Sequence, residues 1–134
     1  EIPSMSRVKV IDPEGAGGAA RELLDAVQAQ LGATPAFIRV LANSPPALRG
    51  FLGLYAGVGE GSLGTATAER IALAVAEENA CEYCVSAHTA IARKVGLDLE
   101  EILSARAGRS SDARASAAVA FAKDAVFFAM GPDS

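Results

Sequence analysis

The residues best suited to chemistry lie close together in this sequence, between positions 81 and 88. Cys81, Cys84 and His88 are the only two cysteines and the only histidine of the 134-residue chain. On a helix they lie at about 0°, 300° and 340° around the axis, so all three share one face. If that helix starts near Ala80, both sulfurs lie in its first turn, where unpaired N–H groups and the helix dipole favour a thiolate. Because His88 follows Cys84 by four residues and can exchange a proton with it, the pattern predicts a reactive dithiol.

The same residues also fit other interpretations. A cysteine in a helix is commonly a small buried hydrophobic residue with no chemical role. Cys81, Cys84 and His88 are zinc-ligand types, but a fourth ligand would have to be Glu69 or Glu77, and the sequence has no second C-x-x-C pair. A dithiol can also serve in general thiol–disulfide exchange, or as a redox sensor, without consuming peroxide. Periodicity leaves Glu69 open between a solvated first-turn residue and a buried partner of the site.

The immediate neighbours of the pair give three further expectations. The spacing C-x-x-C at a helix start keeps the Cα atoms near the roughly 4.4 to 6.8 Å that a disulfide requires, so Cys81 and Cys84 should pair on oxidation. Tyr83 lies on the opposite side of the helical wheel, and we expect it in the core. Glu77 and Glu78 are expected to be solvated or to stabilise the helix dipole, near a break between two helices.

Helical periodicity accounts for the rest of the chain, and no segment has the pattern of a convincing strand. Asp98, with Glu101 three residues later, forms a capping-box pattern that opens a short helix. Residues 71–76 are apolar on every side, so we expect the middle of their helix to be buried. The predicted helices cover residues 19–31, 35–42, 46–58, 67–78, 81–95, 99–105 and 113–130.

Composition limits the class of protein. A chain of 134 residues that is 51% hydrophobic suffices for one globular domain, here taken as residues 1–134. The net charge of −4 has the wrong sign for binding phosphates, so nucleic acid is not expected as a partner. No apolar run approaches the roughly 18 residues of a membrane span, and no leader pattern opens the chain, which predicts a cytoplasmic protein without membrane contact. The apolar segments 71–76 and 117–130 predict a homo-oligomer with Phe127 or Phe128 at an interface.

Glu69, eleven intervening residues, and then Cys81-x-x-Cys84-x-x-x-His88 resembles the signature of the alkylhydroperoxidase D-like (carboxymuconolactone decarboxylase-like) family. The resemblance covers mainly residues 67–103, the motif-bearing core. It implies an all-α, single-domain helical bundle, usually a homotrimer or homohexamer. It also implies a peroxidase that reduces hydroperoxides through a dithiol–disulfide cycle and is recharged by lipoyl or other dithiol partners.

The resemblance also implies a role for each site residue. Cys84 corresponds to the cysteine that attacks the peroxide and Cys81 to the resolving cysteine, while Glu69 and His88 correspond to a proton relay. Such a cycle requires no metal, haem, flavin or other cofactor. The best-known peroxidases of the family have a second histidine where this chain has Tyr83. The decarboxylase branch lacks the cysteine pair, so the intact C-x-x-C argues against a lactone decarboxylase.

Overall fold

The computed structural model of the protein describes residues 7–130, and within that range the chain forms seven α-helices and no β-strand. The prediction of an all-α protein is therefore confirmed. No helix in this range is both long and apolar enough to cross a bilayer. The helices are α1 (Gly18–Leu31), α2 (Ala36–Leu41), α3 (Pro45–Gly59), α4 (Thr65–Glu78), α5 (Glu82–Lys94), α6 (Leu99–Arg106) and α7 (Ala113–Met130).

The chain divides into two compact units, of which the first ends at Val58. Its core is built from side chains spaced along the apolar faces of α1, α2 and the start of α3. Gly32 ends α1 in the left-handed conformation, with φ of 74°, and its N–H donates to the carbonyl of Gln28. The buried residues of this unit are Leu24, Val27, Ile38, Ala42 and Leu48.

The second unit begins at Gly59 and contains all four predicted site residues. Its central element is α4, which packs against α5, α6 and α7. Glu69, Leu73 and Ala76 are buried and lie four and three residues apart, so they form one face of α4. Leu73 is fully buried and belongs to the core formed with Ala92, Leu97, Ile102 and Ala105. The expectation of one domain over residues 1–134 stays a prediction.

The middle of α4 is buried as expected at Leu73, Ala74 and Ala76, whereas Ile71 and Val75 are half-buried. The capping box at the start of α6 is only half formed. Asp98 accepts the expected hydrogen bond from the Glu101 N–H at 2.8 Å. The Glu101 carboxylate instead takes partners on other elements, which are described below with the site.

A tight turn joins α4 to α5 and sets the position of the first cysteine. The N–H of Cys81 donates to the carbonyl of Ala76 at 2.9 Å, and the N–H of Ala80 donates to that of Glu77 at 3.0 Å. These are the two bonds of a Schellman motif, in which the residue before the last donor adopts the left-handed conformation. That residue is Ala80, with φ of 49°, the one non-glycine residue with positive φ between positions 7 and 130. Gly96 and Gly108 occupy the same place after α5 and α6.

Replacing Ala80 by glycine is expected to stabilise the protein by about 1 kcal/mol, because an L side chain is strained at positive φ and glycine is not. Denaturant unfolding of the disulfide form measures this change. Gly96→Ala is the matched control, since a Cβ there meets no atom within 4 Å and only its φ of 93° opposes the side chain. We expect Gly96→Ala to destabilise by about 1 kcal/mol or more. Equal or lower stability of the Ala80→Gly protein would contradict the argument.

Candidate active site

Cys81 and Cys84 are joined by a disulfide at the start of α5, with their Cα atoms 5.3 Å apart. Cys81 is the N-cap of the helix, and its sulfur accepts a hydrogen bond from the N–H of Cys84 at 3.3 Å. α5 begins at Glu82, so the predicted helix start near Ala80 is confirmed. The spacing of the pair follows from the cap, because the N-cap side chain and the third helical residue meet across one turn.

The position of Cys81 determines what becomes of its sulfur once the disulfide is reduced. An N-cap atom faces the unpaired N–H groups of the first turn and the positive end of the helix dipole. Negative charge on the sulfur of Cys81 is therefore stabilised by the same N–H of Cys84 that it contacts in the disulfide form.

Glu69 on α4 contacts His88 on α5, although their positions in the sequence differ by 19. Oε2 of Glu69 lies 2.8 Å from Nδ1 of His88, and Glu69 is only 7% exposed. The structure therefore gives a buried partner of His88 rather than a solvated first-turn residue. A carboxylate without a proton only accepts hydrogen bonds, so this contact favours the tautomer of a neutral imidazole that has its proton on Nδ1 and leaves Nε2 as the basic nitrogen.

The face of α5 that turns toward the core is the one that carries Cys84 and His88. Cys84 and His88 are half-buried, and Ala92, four residues further on, is fully buried. The prediction that Tyr83 belongs to the core is wrong, since this side chain is 67% exposed. The helical wheel separates Tyr83 from the cysteines correctly, but the side of the wheel with the cysteines is the inner one.

Residues 7–130 provide no further zinc ligand beside Cys81, Cys84 and His88. Between residues 7 and 130, no three His, Cys, Asp or Glu side chains are grouped so that they could hold a metal ion. The only carboxylate that contacts His88 is that of Glu69, among the contacts described for this part of the chain. The four side chains selected from the sequence thus form one disulfide at the start of α5 and one carboxylate–imidazole pair between α4 and α5.

A second polar cluster lies next to the site and was missed by the sequence analysis. Arg70 directly follows Glu69, and its Nε donates to Oε1 of Glu101 on α6 at 3.0 Å. The hydroxyls of Ser110 and Ser111, just before α7, also donate to the Glu101 carboxylate, together with the N–H of Ser111. One buried carboxylate therefore ties α4, α6 and the start of α7 together. The only sign of this cluster in the sequence is the position of Glu101, three residues after Asp98 in a capping-box pattern.

The environment of Glu101 shifts its pKa strongly. The hydrogen bonds from Ser110 and Ser111, and after them that from Arg70, lower the pKa of Glu101 from an ordinary 4.5 to about 2, although burial acts in the opposite direction. Each of these donors stabilises the ionised form. The carboxylate is consequently charged at every pH at which the protein is expected to work.

This shift predicts a pH dependence of stability. Because the pKa of Glu101 is lower in the folded protein than in the unfolded chain, its contribution is complete above pH 4.5 and is lost as the pH falls toward 2. We expect about 3 kcal/mol of unfolding free energy to disappear over this range, because one unit of pKa corresponds to about 1.4 kcal/mol. Urea unfolding from pH 7 to pH 2 measures it. The difference in stability between the wild type and Glu101→Gln should shrink toward low pH, and a constant difference would contradict the assignment.

A second ion pair joins α4 and α6, in which the arginine is on α6 and the glutamate is on α4. Nε of Arg106 on α6 donates to Oε2 of Glu77 on α4 at 2.7 Å. This pair is exposed, and the hydrogen bond from Arg106 lowers the pKa of Glu77 from its ordinary value. Glu78 pairs with Lys123 of α7 at 3.1 Å. The two glutamates expected to be solvated at the end of α4 are thus ion-paired on the surface.

The comparison with known proteins agrees with the geometry of the site. A family model described as the carboxymuconolactone decarboxylase family matches residues 45–124. No curated protein and no solved structure gave a significant match. The matched segment includes the whole of α4, α5 and α6, and therefore the disulfide, its N-cap and the Glu69–His88 pair. Since the match spans more than half of the chain and takes in every residue on which the resemblance rests, the protein belongs to the carboxymuconolactone decarboxylase family.

Proposed function

We propose that the protein is a thiol-dependent peroxidase that reduces alkyl hydroperoxides and hydrogen peroxide through the Cys81–Cys84 pair. The observation that carries the proposal is the Glu69–His88 hydrogen bond beside a C-x-x-C disulfide at a helix start. A dithiol needs a base to form its thiolate and an acid to protonate the alcohol that leaves. An imidazole held by a buried carboxylate supplies both functions in turn.

The first step oxidises Cys84. Nε2 of His88, whose Nδ1–H is bound to Glu69, takes the proton from the thiol of Cys84. The thiolate attacks the terminal oxygen of the hydroperoxide, a sulfur–oxygen bond forms, and the oxygen–oxygen bond breaks. The sulfur is oxidised to a sulfenic acid, and the leaving alkoxide accepts the proton from His88 and departs as the alcohol, or as water from hydrogen peroxide.

The second step forms the disulfide. The Cys81 thiol releases its proton, and the thiolate attacks the sulfur of the Cys84 sulfenic acid. The sulfur–sulfur bond forms, the sulfur–oxygen bond breaks, and the leaving hydroxide takes up the released proton to form water. The helix N-terminus favours this thiolate, as described for the N-cap. An external dithiol, for which a lipoyl group is the proposed class, then exchanges with the disulfide, becomes oxidised itself and returns both thiols.

The test is a steady-state assay of peroxide consumption by the purified protein. Cumene hydroperoxide and hydrogen peroxide are supplied with a panel of reductants that includes dihydrolipoamide. Turnover that requires both peroxide and dithiol supports the proposal. Reduction of the Cys81–Cys84 disulfide by the dithiol without peroxide consumption would favour a general thiol–disulfide oxidoreductase or redox sensor and would overturn it.

We further propose that the protein works as a homo-oligomer, with a trimer or hexamer as the expected size. Three aromatic side chains of α7 are exposed in the single chain, namely Phe121, Phe127 and Phe128, the last at 80%. Aromatic surface of this kind is costly in water and is typical of an interface. Light scattering at micromolar concentration is expected to give three or six times the chain mass. A mass near 13.6 kDa would contradict the prediction.

A further inference from the structure

Two consecutive residues of α4 make polar contacts with two different helices. Oε2 of Glu69 contacts Nδ1 of His88 on α5, and Nε of Arg70 contacts Oε1 of Glu101 on α6. Successive side chains on a helix diverge by about 100°, so the two contacts act on α4 from different sides. A rotation of α4 about its axis that lengthens one contact must therefore also displace the other.

The Arg70–Glu101 ion pair opposes such a rotation, because it is nearly buried and its carboxylate is held by other residues. Both side chains are nearly buried, with 13% and 12% of their surface exposed. The carboxylate is fixed independently of Arg70, because it also binds Ser110 and Ser111 ahead of α7. In addition, the backbone N–H of Glu101 is bound to Asp98, the N-cap of α6. Arg70 thus contacts a carboxylate that has little freedom to follow it.

We propose that Arg70 is a positioning residue for the Glu69–His88 pair, acting through its ion pair with Glu101 to fix the rotation of α4. The inference rests on the proposed function, since the pair that Arg70 positions is the proton relay of the proposed reaction. By fixing the rotation of α4, Arg70 keeps the carboxylate of Glu69 in contact with Nδ1 of His88. Nε2 of His88 therefore stays unprotonated and available to Cys84. Neither Arg70 nor Glu101 touches the reacting sulfur in this scheme.

The tautomer of His88 reports the effect directly. A carboxylate on Nδ1 fixes the proton there, whereas an imidazole released from that contact exchanges between its two neutral tautomers. The ¹⁵N chemical shifts of a neutral imidazole distinguish the two forms. Because the chain contains one histidine, the signals need no assignment. The measurement uses the disulfide form, at a pH high enough for the imidazole to be neutral, with neither peroxide nor reductant present.

The experiment compares the wild type with Arg70→Ala and Arg70→Lys. We expect the wild type to show the Nδ1–H tautomer and Arg70→Ala to show a mixture of the two tautomers. We also expect Arg70→Ala to lower the first-turnover rate of peroxide consumption about 10-fold or more, the usual effect of misplacing a catalytic group. Arg70→Lys retains a positive charge opposite Glu101 and should restore most of both properties. A folded Arg70→Ala protein with an unchanged tautomer would overturn the proposal.

Arg106→Ala is the matched control. It removes the other arginine–glutamate pair between α4 and α6, whose side chains are 36% and 42% exposed and which lies two helical turns away along α4. We expect the tautomer of His88 to be unchanged and the rate to stay within about two-fold of the wild type. The same loss in Arg106→Ala as in Arg70→Ala would show general loosening of α4 and would also overturn the proposal.

If Arg70→Ala does not fold, Glu101→Gln takes its place, because it keeps the size of the side chain and one acceptor oxygen while removing the charge. A mixture of tautomers in that variant supports the proposal, and the wild-type tautomer contradicts it. The outcomes also distinguish a failure of the proposed peroxidase function from a failure of the positioning role of Arg70. A wild type that consumes no peroxide ends the proposed function but leaves the tautomer comparison intact, whereas an active wild type with an Arg70-independent tautomer ends this inference alone.

Discussion

Cys84→Ser is expected to abolish the first peroxide-consuming step, whereas Cys81→Ser is expected to react once and stop at a sulfenic acid on Cys84. His88 lies one helical turn beyond Cys84 and about two turns beyond Cys81, so the proposed reaction assigns its imidazole to Cys84. In the proposed reaction Cys81, which is the N-cap of α5, supplies the thiolate that resolves the sulfenic acid. Loss of Cys81 therefore removes the second step and leaves the first.

Dimedone trapping followed by mass spectrometry on the two reduced single variants measures this difference. The label is expected on Cys84 of the Cys81→Ser protein and on no residue of the Cys84→Ser protein. The wild type is the control, because its disulfide forms before the trap can react. Label on Cys81 of the Cys84→Ser protein, with an unlabelled Cys81→Ser protein, would reverse the roles of the two cysteines.

His88→Ala is expected to slow the first peroxide-consuming step by about 10²-fold or more, the usual contribution of a positioned acid–base group. Glu69→Gln should slow it by about 10-fold or more. The amide that replaces the carboxylate can donate to Nδ1, which favours the tautomer with a proton on Nε2 and removes the base. Single-turnover loss of free thiol under stoichiometric peroxide gives both rates.

Glu77→Gln is the control for the carboxylate. Glu77 is also a glutamate of α4, but it is exposed and paired with Arg106, so the rate should stay within about two-fold of the wild type. Equal losses in Glu77→Gln and Glu69→Gln would indicate a general effect on α4. A full rate in His88→Ala would remove His88 from the proposed reaction, whatever the behaviour of the glutamates.

The local features of this protein follow from its sequence, because they depend on residues within one or two helical turns of each other. The seven helices lie close to the segments that periodicity predicts, and Gly32 and Asp98 act as the caps expected of them. The start of α5 near Ala80 follows in the same way, and it alone brings Cys81 and Cys84 within disulfide distance. The residue types of the candidate site are likewise explicit, since the chain has no other cysteine or histidine.

Glu101 shows where local reasoning fails. Its spacing from Asp98 predicts a carboxylate that turns back to cap its own helix. In the folded chain the carboxylate instead accepts charge-assisted and hydroxyl hydrogen bonds from Arg70, Ser110 and Ser111, which together outweigh one bond to a backbone N–H. These partners lie on other elements, so their competition is invisible at the level of a four-residue motif.

The sequence by itself therefore determined the helices, their caps and the dithiol, while the tertiary structure decided which groups meet. Helical periodicity separates the two sides of α5 but does not state which side is buried, and so Tyr83 was placed inside although it lies outside. Periodicity also left Glu69 undecided. The packing of α4 on α5 brought its carboxylate to His88 across 19 residues of chain, because apolar faces pack together and carry the polar side chains beside them into contact.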